Sequence, residues 1–443
     1  MFKDKKVIVV GMARSGIAAA ELLINAGAIV TLNDSKKQEE IEGIEGIVDK
    51  ASCDFGGKPS QLDYDVMVLS PGVPTDLSFV VEAQAEMTVI GALEVGYRLS
   101  KGSFYGITGT NGKTTTTTLT YEIFKAADTD AYAVGNIGNP LASVASQTTE
   151  KSQLITEVSS FQLEMVDTFN VHIAAILNLA PDHLNRHKTM ENYVSAKCRI
   201  AKNQTEEDYL ILNYDDLPTR ELKIDNLKSK VVYFSKTKLD EGFYVDNGMI
   251  YADFNERIAI MPVEDISVPG PHNIENALAA IAISYLAGIS IEDISYGVKS
   301  FKGVDHRLAY VGKYHDMLCY NDSKGTNPES SIVAVKSMSV PTLLIAGGMD
   351  KGSVFDEFVQ TFEPQIKHLI LLGETKQLLK ETAINYGYNN ITLVENMEEA
   401  VSLAFELGEA GDAILLSPAC ASWDMYPSFE VRGEHFKSCL KTL

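Results

Sequence analysis

The stretch Gly106-Ile107-Thr108-Gly109-Thr110-Asn111-Gly112-Lys113-Thr114-Thr115 has the composition of a turn that holds a nucleotide triphosphate. An apolar run (Phe104, Tyr105, Ile107) predicts a strand entering it, and Thr114 to Ala127 predicts the helix that leaves. Glycines let the backbone approach a ligand, so that successive N–H groups and the helix N-terminus point at phosphate oxygens. In such a turn Lys113 reaches the β- and γ-phosphates, and the Thr114 hydroxyl ligates Mg²⁺. Five residues separate Gly106 from Gly112, one more than in the usual P-loop. The operative unit is therefore Gly109-Thr110-Asn111-Gly112-Lys113-Thr114, followed by Thr115.

Other reactive side chains gather after apolar runs. Glu157 closes Leu154-Ile155-Thr156, where NTPases place a carboxylate that helps hold Mg²⁺; helix capping is the plainer alternative. His183 follows Asp182 after the strand Val171 to Asn178, and a neutral imidazole beside a carboxylate is a good metal ligand. Lys197, on a helix from Met190 to Lys202, is open between a functional role and an ordinary surface lysine. Downstream, Arg307 offers a fixed cation for a phosphate and Asp322 an acceptor for a ribose hydroxyl. Asp322 begins the loop that carries Lys324 and Thr326. Loops with Lys351, Ser422 and Phe429 end two further strands and suit a small anionic substrate. A surface arginine and polar loops are the plain alternatives.

The first hundred residues carry a second glycine turn. Val7 to Val10 predicts a strand, Gly11 to Gly16 a turn containing Arg14 and Ser15, and a helix runs to Ala26. A second strand, Ile29 to Leu32, ends at Asn33-Asp34-Ser35. This is nearly the dinucleotide fingerprint, but Ala13 stands where its middle glycine belongs and restricts approach to a pyrophosphate. Val66 to Leu69 runs into Ser70-Pro71-Gly72-Val73-Pro74, a rigid turn at the strand end where such folds bind ligands.

The elements that position these residues alternate strand and helix along the whole chain. We expect three α/β domains: a Rossmann-like one over 1–98, a central P-loop ATPase-type domain over 99–303, and a Rossmann-like one over 304–443. Asn247-Gly248 between Phe243–Val245 and Met249–Tyr251 predicts a hairpin, hence a small antiparallel appendage on the central domain. The third region has strand runs at Met317–Tyr320, Thr342–Ala346, His368–Leu372 and Ala413–Leu416.

With 38 Lys plus Arg against 60 Asp plus Glu, the chain carries a formal charge of −22, which disfavours unspecific binding to nucleic acid or anionic membranes. The five cysteines form no CxxC pair, the pattern of reduced thiols in a cytoplasmic enzyme. The longest apolar run, Ala277 to Ile289, is too short to span a bilayer. A soluble protein without membrane insertion is expected.

Taken together, these motifs resemble the Mur ligase family of peptidoglycan precursor synthesis over essentially the whole chain. The family-level residues are Gly109 to Thr114, Glu157-Val158-Ser159-Ser160-Phe161-Gln162, Asp182-His183, and His272-Asn273 with Asn276. Asn321-Asp322-Ser323-Lys324 with Thr326-Asn327, and Ser417 to Ser422 with Phe429, Arg432 and Gly433, match the branch that adds D-glutamate. The resemblance implies an ATP-dependent amide ligase that joins D-glutamate to UDP-N-acetylmuramoyl-L-alanine through an acyl phosphate. It implies ATP contacts at Gly109 to Thr115, Asn273, Asn276, Arg307 and Asp322, and two Mg²⁺ sites, one on Thr114 and Glu157, the other on His183 and a carbamylated Lys197. Lys113, His183 and Lys197 would be catalytic. UDP-sugar contacts fall on Arg14, Ser15, Asp34, Ser35, Ser70, Pro71, Gly72 and Asn136, and D-glutamate contacts on Lys324, Thr326, Lys351, Ser422 and Phe429. All partners are then small molecules, and the enzyme a monomer. Gly325 stands where an alanine is common, a change expected to loosen that loop only slightly. The competing readings are a same-fold ligase adding another amino acid, a nicotinamide-dependent dehydrogenase resting on Gly11 to Asp34 alone, and a non-catalytic nucleotide binder.

Overall fold

In the computed structural model, which describes residues 1–268, 270–350 and 352–442, three sheets follow one another along the chain. The first comprises β1 (Lys6–Val10), β2 (Ile29–Asp34), β3 (Ser52–Phe55), β4 (Val66–Leu69) and β5 (Thr88–Gly91). All are parallel, in the order β3-β2-β1-β4-β5. Val7 to Val10 is apolar throughout because both faces are covered. Helices Arg14–Asn25 and Ala92–Leu99 pack with Val7 and Val9, while Val80 and Ala83 of helix Ser78–Glu86 pack with Ile8. Strand order reverses between β1 and β4, which opens a crevice at their C-terminal ends.

The second sheet contains β6 (Ser103–Thr108), β7 (Ala131–Gly135), β8 (Gln153–Glu157), β9 (Ile173–Ile176), β10 (Tyr209–Asn213), β11 (Lys230–Ser235), β12 (Gly242–Asp246), β13 (Met249–Asp253) and β14 (Arg257–Pro262). The six strands β6 to β11 run parallel in the order β11-β10-β9-β6-β8-β7. The antiparallel meander β12-β13-β14 extends the same sheet, attached to β11 only through Phe234 with Phe243 and Ser235 with Tyr244. The long helix expected from Met190 to Lys202 stops at Cys198 and tightens into a 3₁₀ turn over Arg199–Ala201.

The third sheet, β15 (Ala309–Tyr314), β16 (Met317–Asn321), β17 (Thr342–Ala346), β18 (Ile366–Leu371), β19 (Ile391–Leu393) and β20 (Ala413–Leu416), has the order β15-β16-β20-β17-β18-β19. Only β15 is antiparallel to its neighbour. No helix among the described residues is long and apolar enough to cross a membrane.

The chain divides into two compact units: Met1–Ile266 with His272–Phe301, and Ser267–Pro271 with the residues from Lys302 onward. The first two sheets thus share one unit, and a buried acid joins them. Glu94, fully buried on helix Ala92–Leu99, accepts from the backbone N–H groups of Asp167, Thr168 and Phe169, from the Thr168 hydroxyl and from Arg98. Burial alone would raise its pKa; the donors, led by Thr168, outweigh burial and hold it below the usual value. Arg186, on the short helix Leu184–His187, adds a bond to the carbonyl of Val73 in the turn after β4, 3.0 Å away.

Candidate active site

The central glycine turn leaves β6 and enters helix Lys113–Ala126 through Gly112, whose φ of +82° is left-handed. A side chain there would be strained, and its Cβ would lie 2.3 Å from Asn276 Oδ1. The turn is clamped from both sides. The Thr110 and Asn111 amides donate to the main-chain and side-chain oxygens of Asn178 (2.9 and 2.8 Å). Behind it, the Thr116 hydroxyl and the Asn276 and Asn273 amides form a buried chain, with Asn276 Nδ2 donating to Asn273 Oδ1 at 3.1 Å. Asn273 and Asn276 therefore brace the turn. Thr114 and Thr115 are buried at the start of the helix.

Two ammonium groups converge here. Lys113 Nζ donates to the carbonyls of Gly109 (3.0 Å) and Thr110 (2.8 Å). Lys197 Nζ donates to the same Gly109 carbonyl at 2.6 Å and lies 4.7 Å from the Tyr193 ring centre. Lys197 is only 2% exposed, so it is no surface lysine. Burial, reinforced by the Lys113 charge, drives its pKa well below the usual lysine value, against the pull of Asp182 and Glu157.

Glu157 ends β8 and is 1% exposed. Its Oε1 accepts from Asn136 Nδ2 at 2.8 Å, while the Asn136 amide donates to its backbone carbonyl at 2.9 Å. Oε2 is buried without any hydrogen-bond partner. A buried, orphaned carboxylate oxygen needs a cation, and a hard oxygen donor near a threonine-rich phosphate turn suits Mg²⁺. The residues present fit that ion. Asn136, which the resemblance implies for the sugar nucleotide, here orients Glu157; its distance in sequence hid that pairing.

His183 caps the short helix Leu184–His187 with a left-handed φ of +52°. Its half-exposed ring lies tilted against Phe161, 4.8 Å between centres, and 3.4 Å from the Asp182 carboxylate. Nearby His187 is buried instead, bonded to Ser160 (2.9 Å) and beside Glu164 (3.3 Å). Burial outweighs the opposing Glu164 charge and lowers its pKa below the usual histidine value.

At the first glycine turn, Asp34 faces inward. Its Oδ2 accepts from the Met12 amide (2.6 Å) and its Oδ1 from the Lys36 amide (2.9 Å), with the Ser35 hydroxyl at 3.4 Å. Gly16 packs so tightly that a Cβ would sit 1.8 Å from the Gly11 carbonyl. A cleft of about 360 Å³ opens here, lined by Gly11, Asp34, Ser35, Lys58, Ser70 and Gly72 among others. Arg14 and Ser15 begin the adjoining helix, and Pro71 sits between two of the lining residues.

In the second unit, Asp322 is buried and accepts from the Ser417 hydroxyl (2.7 Å) and the Leu308 amide (3.1 Å). Burial pushes its pKa up to about 7, against Ser417 and the Arg307 charge. Arg307 Nε is buried without a hydrogen-bond partner. A Cβ at Gly325 would meet Asp322 Oδ2 at 2.5 Å, so this glycine fixes the Asp322 pocket rather than merely loosening a loop. Lys324 Nζ lies 5.7 Å from the Phe429 ring centre, and its amide donates to the His306 carbonyl; Thr326 follows in the same loop. Ser422 is buried. Lys351 lies outside the described residues.

Sequence reasoning missed the hub of this unit. Arg432, 3% exposed, donates to the Ser323 hydroxyl and carbonyl and to the Cys420 and Ala421 carbonyls. One guanidinium thus ties the Asp322 loop to the Ser422 loop. Its place in the Phe429–Gly433 motif was the only available signal.

Known proteins match the chain in sequence and in fold. Residues 107–284 match the Mur ligase middle domain, and 306–420 the Mur ligase, glutamate ligase domain. A UDP-N-acetylmuramoylalanine--D-glutamate ligase from Clostridioides difficile (strain 630) is 47% identical, covering 100% of this chain and 99% of that one. The protein of the same name from Alkaliphilus metalliredigens (strain QYMF) is 45% identical with the same coverage. Among solved structures, UDP-N-acetylmuramate-alanine ligase from Thermotoga maritima superposes with a TM-score of 0.62 at 17% identity, covering 99% of both chains. A MurF ligase from Thermotoga maritima in complex with ADP gives 0.58 at 17% identity, covering 99% of this chain and 96% of that one.

Proposed function

The chain belongs to the Mur ligase family, and we propose that it joins D-glutamate to UDP-N-acetylmuramoyl-L-alanine at the expense of ATP, releasing ADP and phosphate. The names of its full-length relatives support this acceptor and amino acid. The observation that carries the reading is the orphaned Glu157 oxygen at the end of β8, the strand beside the β6 turn onto which Lys113 and Lys197 fold. A dehydrogenase or a passive binder has no use for that arrangement.

Amide formation from a carboxylate is uphill in water, so the carboxylate is first activated. Its oxygen attacks the γ-phosphorus of ATP, ADP leaves, and an acyl phosphate forms. The D-glutamate amine then attacks the acyl carbon, and the tetrahedral intermediate expels phosphate. Two anions meet in the first step. Lys113 supplies positive charge at the phosphates, and the backbone of Gly109 to Thr115 holds them in line. Asn273 and Asn276 keep that backbone in place. Arg307 and Asp322 are assigned to ATP, with the unpartnered Arg307 Nε as a donor for phosphate.

Thr114 and Glu157 would hold one Mg²⁺, and His183 with carbamylated Lys197 the second. Bound there, the metals would offset the charge of the phosphates and act as Lewis acids on the transferred phosphoryl group. Carbamylation joins the neutral Lys197 amine to CO₂ and releases a proton. The depressed pKa of Lys197 supports it, because only the unprotonated amine reacts.

The first domain, 1–98, takes the UDP-sugar in the cleft at Asp34, Ser35 and Ser70 to Gly72, with Arg14 and Ser15 at its edge. The central domain, 99–303, takes ATP, and Asn136 serves Glu157 alongside any contact to the sugar nucleotide. The third, 304–443, takes D-glutamate through Lys324, Thr326, Lys351, Ser422 and Phe429. The same reading makes the protein a cytoplasmic monomer acting on small molecules only.

ADP and phosphate release, measured with UDP-N-acetylmuramoyl-L-alanine, ATP and Mg²⁺ plus a panel of amino acids, tests it. Turnover with D-glutamate alone is expected. Turnover with another amino acid would keep the acyl-phosphate chemistry and overturn the assignment of Ser422 and Phe429. No turnover in folded protein would overturn the reading itself.

A further inference from the structure

Two clusters of metal-ligating side chains lie outside the site just described, both in the second unit. Asp305, His306 and Glu434 already enclose a cation: Lys437 Nζ sits 2.8 Å from both Asp305 and Glu434. Glu398, His435 and Cys439 do not. Among the described residues Glu398 pairs with His435, at 3.0 Å from Oε1 to Nε2, and with no lysine or arginine.

His435 and Cys439 stand four residues apart on helix Phe429–Thr442 and so share a face. Glu398 projects from the first turn of helix Met397–Leu407, which packs beside it. One ligand atom from each of the three lies within 4.8 Å of the others. A tetrahedral Zn²⁺ with bonds of about 2.0 Å to nitrogen and oxygen and about 2.3 Å to sulfur needs its ligands roughly 3.3–3.6 Å apart. Small side-chain rotations supply the difference. Tyr426 OH lies 2.9 Å from His435 Nδ1, the place of an outer partner that fixes a ligating imidazole.

We propose that Glu398, His435 and Cys439 bind a divalent transition-metal ion of the Zn²⁺ class, with water as fourth ligand. One nitrogen, one sulfur and one oxygen donor select such an ion over Mg²⁺, so the reaction's own metal does not compete. On binding, the Cys439 thiol loses its proton to solvent. The imidazole proton moves from Nε2 to Nδ1, where it is donated to the Tyr426 oxygen. One proton is released per ion. Because the thiol must ionise to bind, affinity grows with pH. The bound ion pins the helix that carries Phe429 and Arg432.

Co²⁺ is the probe, titrated into the reduced, chelator-stripped full chain in excess Mg²⁺. One equivalent is expected to give a near-ultraviolet thiolate-to-cobalt band that Cys439→Ser abolishes and Cys198→Ser leaves intact. His435→Asn, at a partly exposed position, should raise the Co²⁺ Kd at least tenfold in protein whose circular dichroism is unchanged. No thiolate band at stoichiometric Co²⁺, a band that survives Cys439→Ser, or an unaltered Kd in His435→Asn would each overturn the proposal.

Discussion

Two strand–glycine turn–helix units occur in the first compact unit, after β1 and after β6, and they use their acids and bases in opposite ways. At Gly11 to Gly16 an acid is folded into the turn, with Asp34 accepting the Met12 amide. At Gly109 to Lys113 two lysines fold onto the turn's carbonyls, and the acid, Glu157, is held one strand away with an oxygen unclaimed. The first arrangement suits hydroxyl and amide groups of a ligand; the second concentrates positive charge for phosphate. Topology alone therefore says where a ligand sits, and the charge placed in the turn says which kind.

The harshest way to break this contrast is Glu157→Gln. It should lower kcat by about 10³-fold and weaken Mn²⁺ binding measured by electron paramagnetic resonance; an active variant with intact Mn²⁺ affinity would erase the distinction between the turns. Gly112→Ala comes next, because both its left-handed φ and the Asn276 contact oppose a side chain. ATP affinity by calorimetry should fall about 10²-fold, whereas Ala13→Gly in the first turn should create no affinity for NADH.

Asn136→Ala sharpens the comparison further. If Asn136 orients Glu157, the Mg²⁺ requirement rises about 10-fold while KM for the UDP-sugar changes less; the reverse pattern would return Asn136 to sugar binding. Asp34→Ala should cost roughly 1–3 kcal/mol in urea unfolding, since it strands two backbone donors.

The smallest signal is a slope. Burial raises Asp322 to about 7, so the folded chain keeps a proton that the unfolded chain releases near pH 4. Stability therefore falls as pH rises through that window, and Asp322→Asn should flatten the fall in urea midpoints between pH 4.5 and 6.5.

What the sequence disclosed and what it hid follow one physical divide. The glycine turns were legible because strand, turn and helix are contiguous, and Lys113 announces its own partner. Lys197 was not, since nothing in a helical stretch tells a lysine buried against Gly109 from one in water. The Asn136–Glu157 bond joins residues at the ends of neighbouring strands β7 and β8, a register set by the sheet. Arg432 stood in a motif, but its role as a hub was hidden for the same reason, its four acceptors lying 11 to 109 residues away. The meander read as an appendage because its Asn247-Gly248 turn marks a hairpin foreign to a parallel sheet; in the fold it continues that sheet through two residue pairs.

Glu94, saturated by donors from the loop at Asp167 to Phe169, has a consequence for substrate choice. By locking the first sheet to the second, it turns the span between the Asp34 cleft and the phosphate turn into a fixed gauge. A ligand anchored in that cleft presents its far end to Lys113 only if its own length matches. On the proposed function, the junction would reject short or overlong acceptors before any chemical group is read.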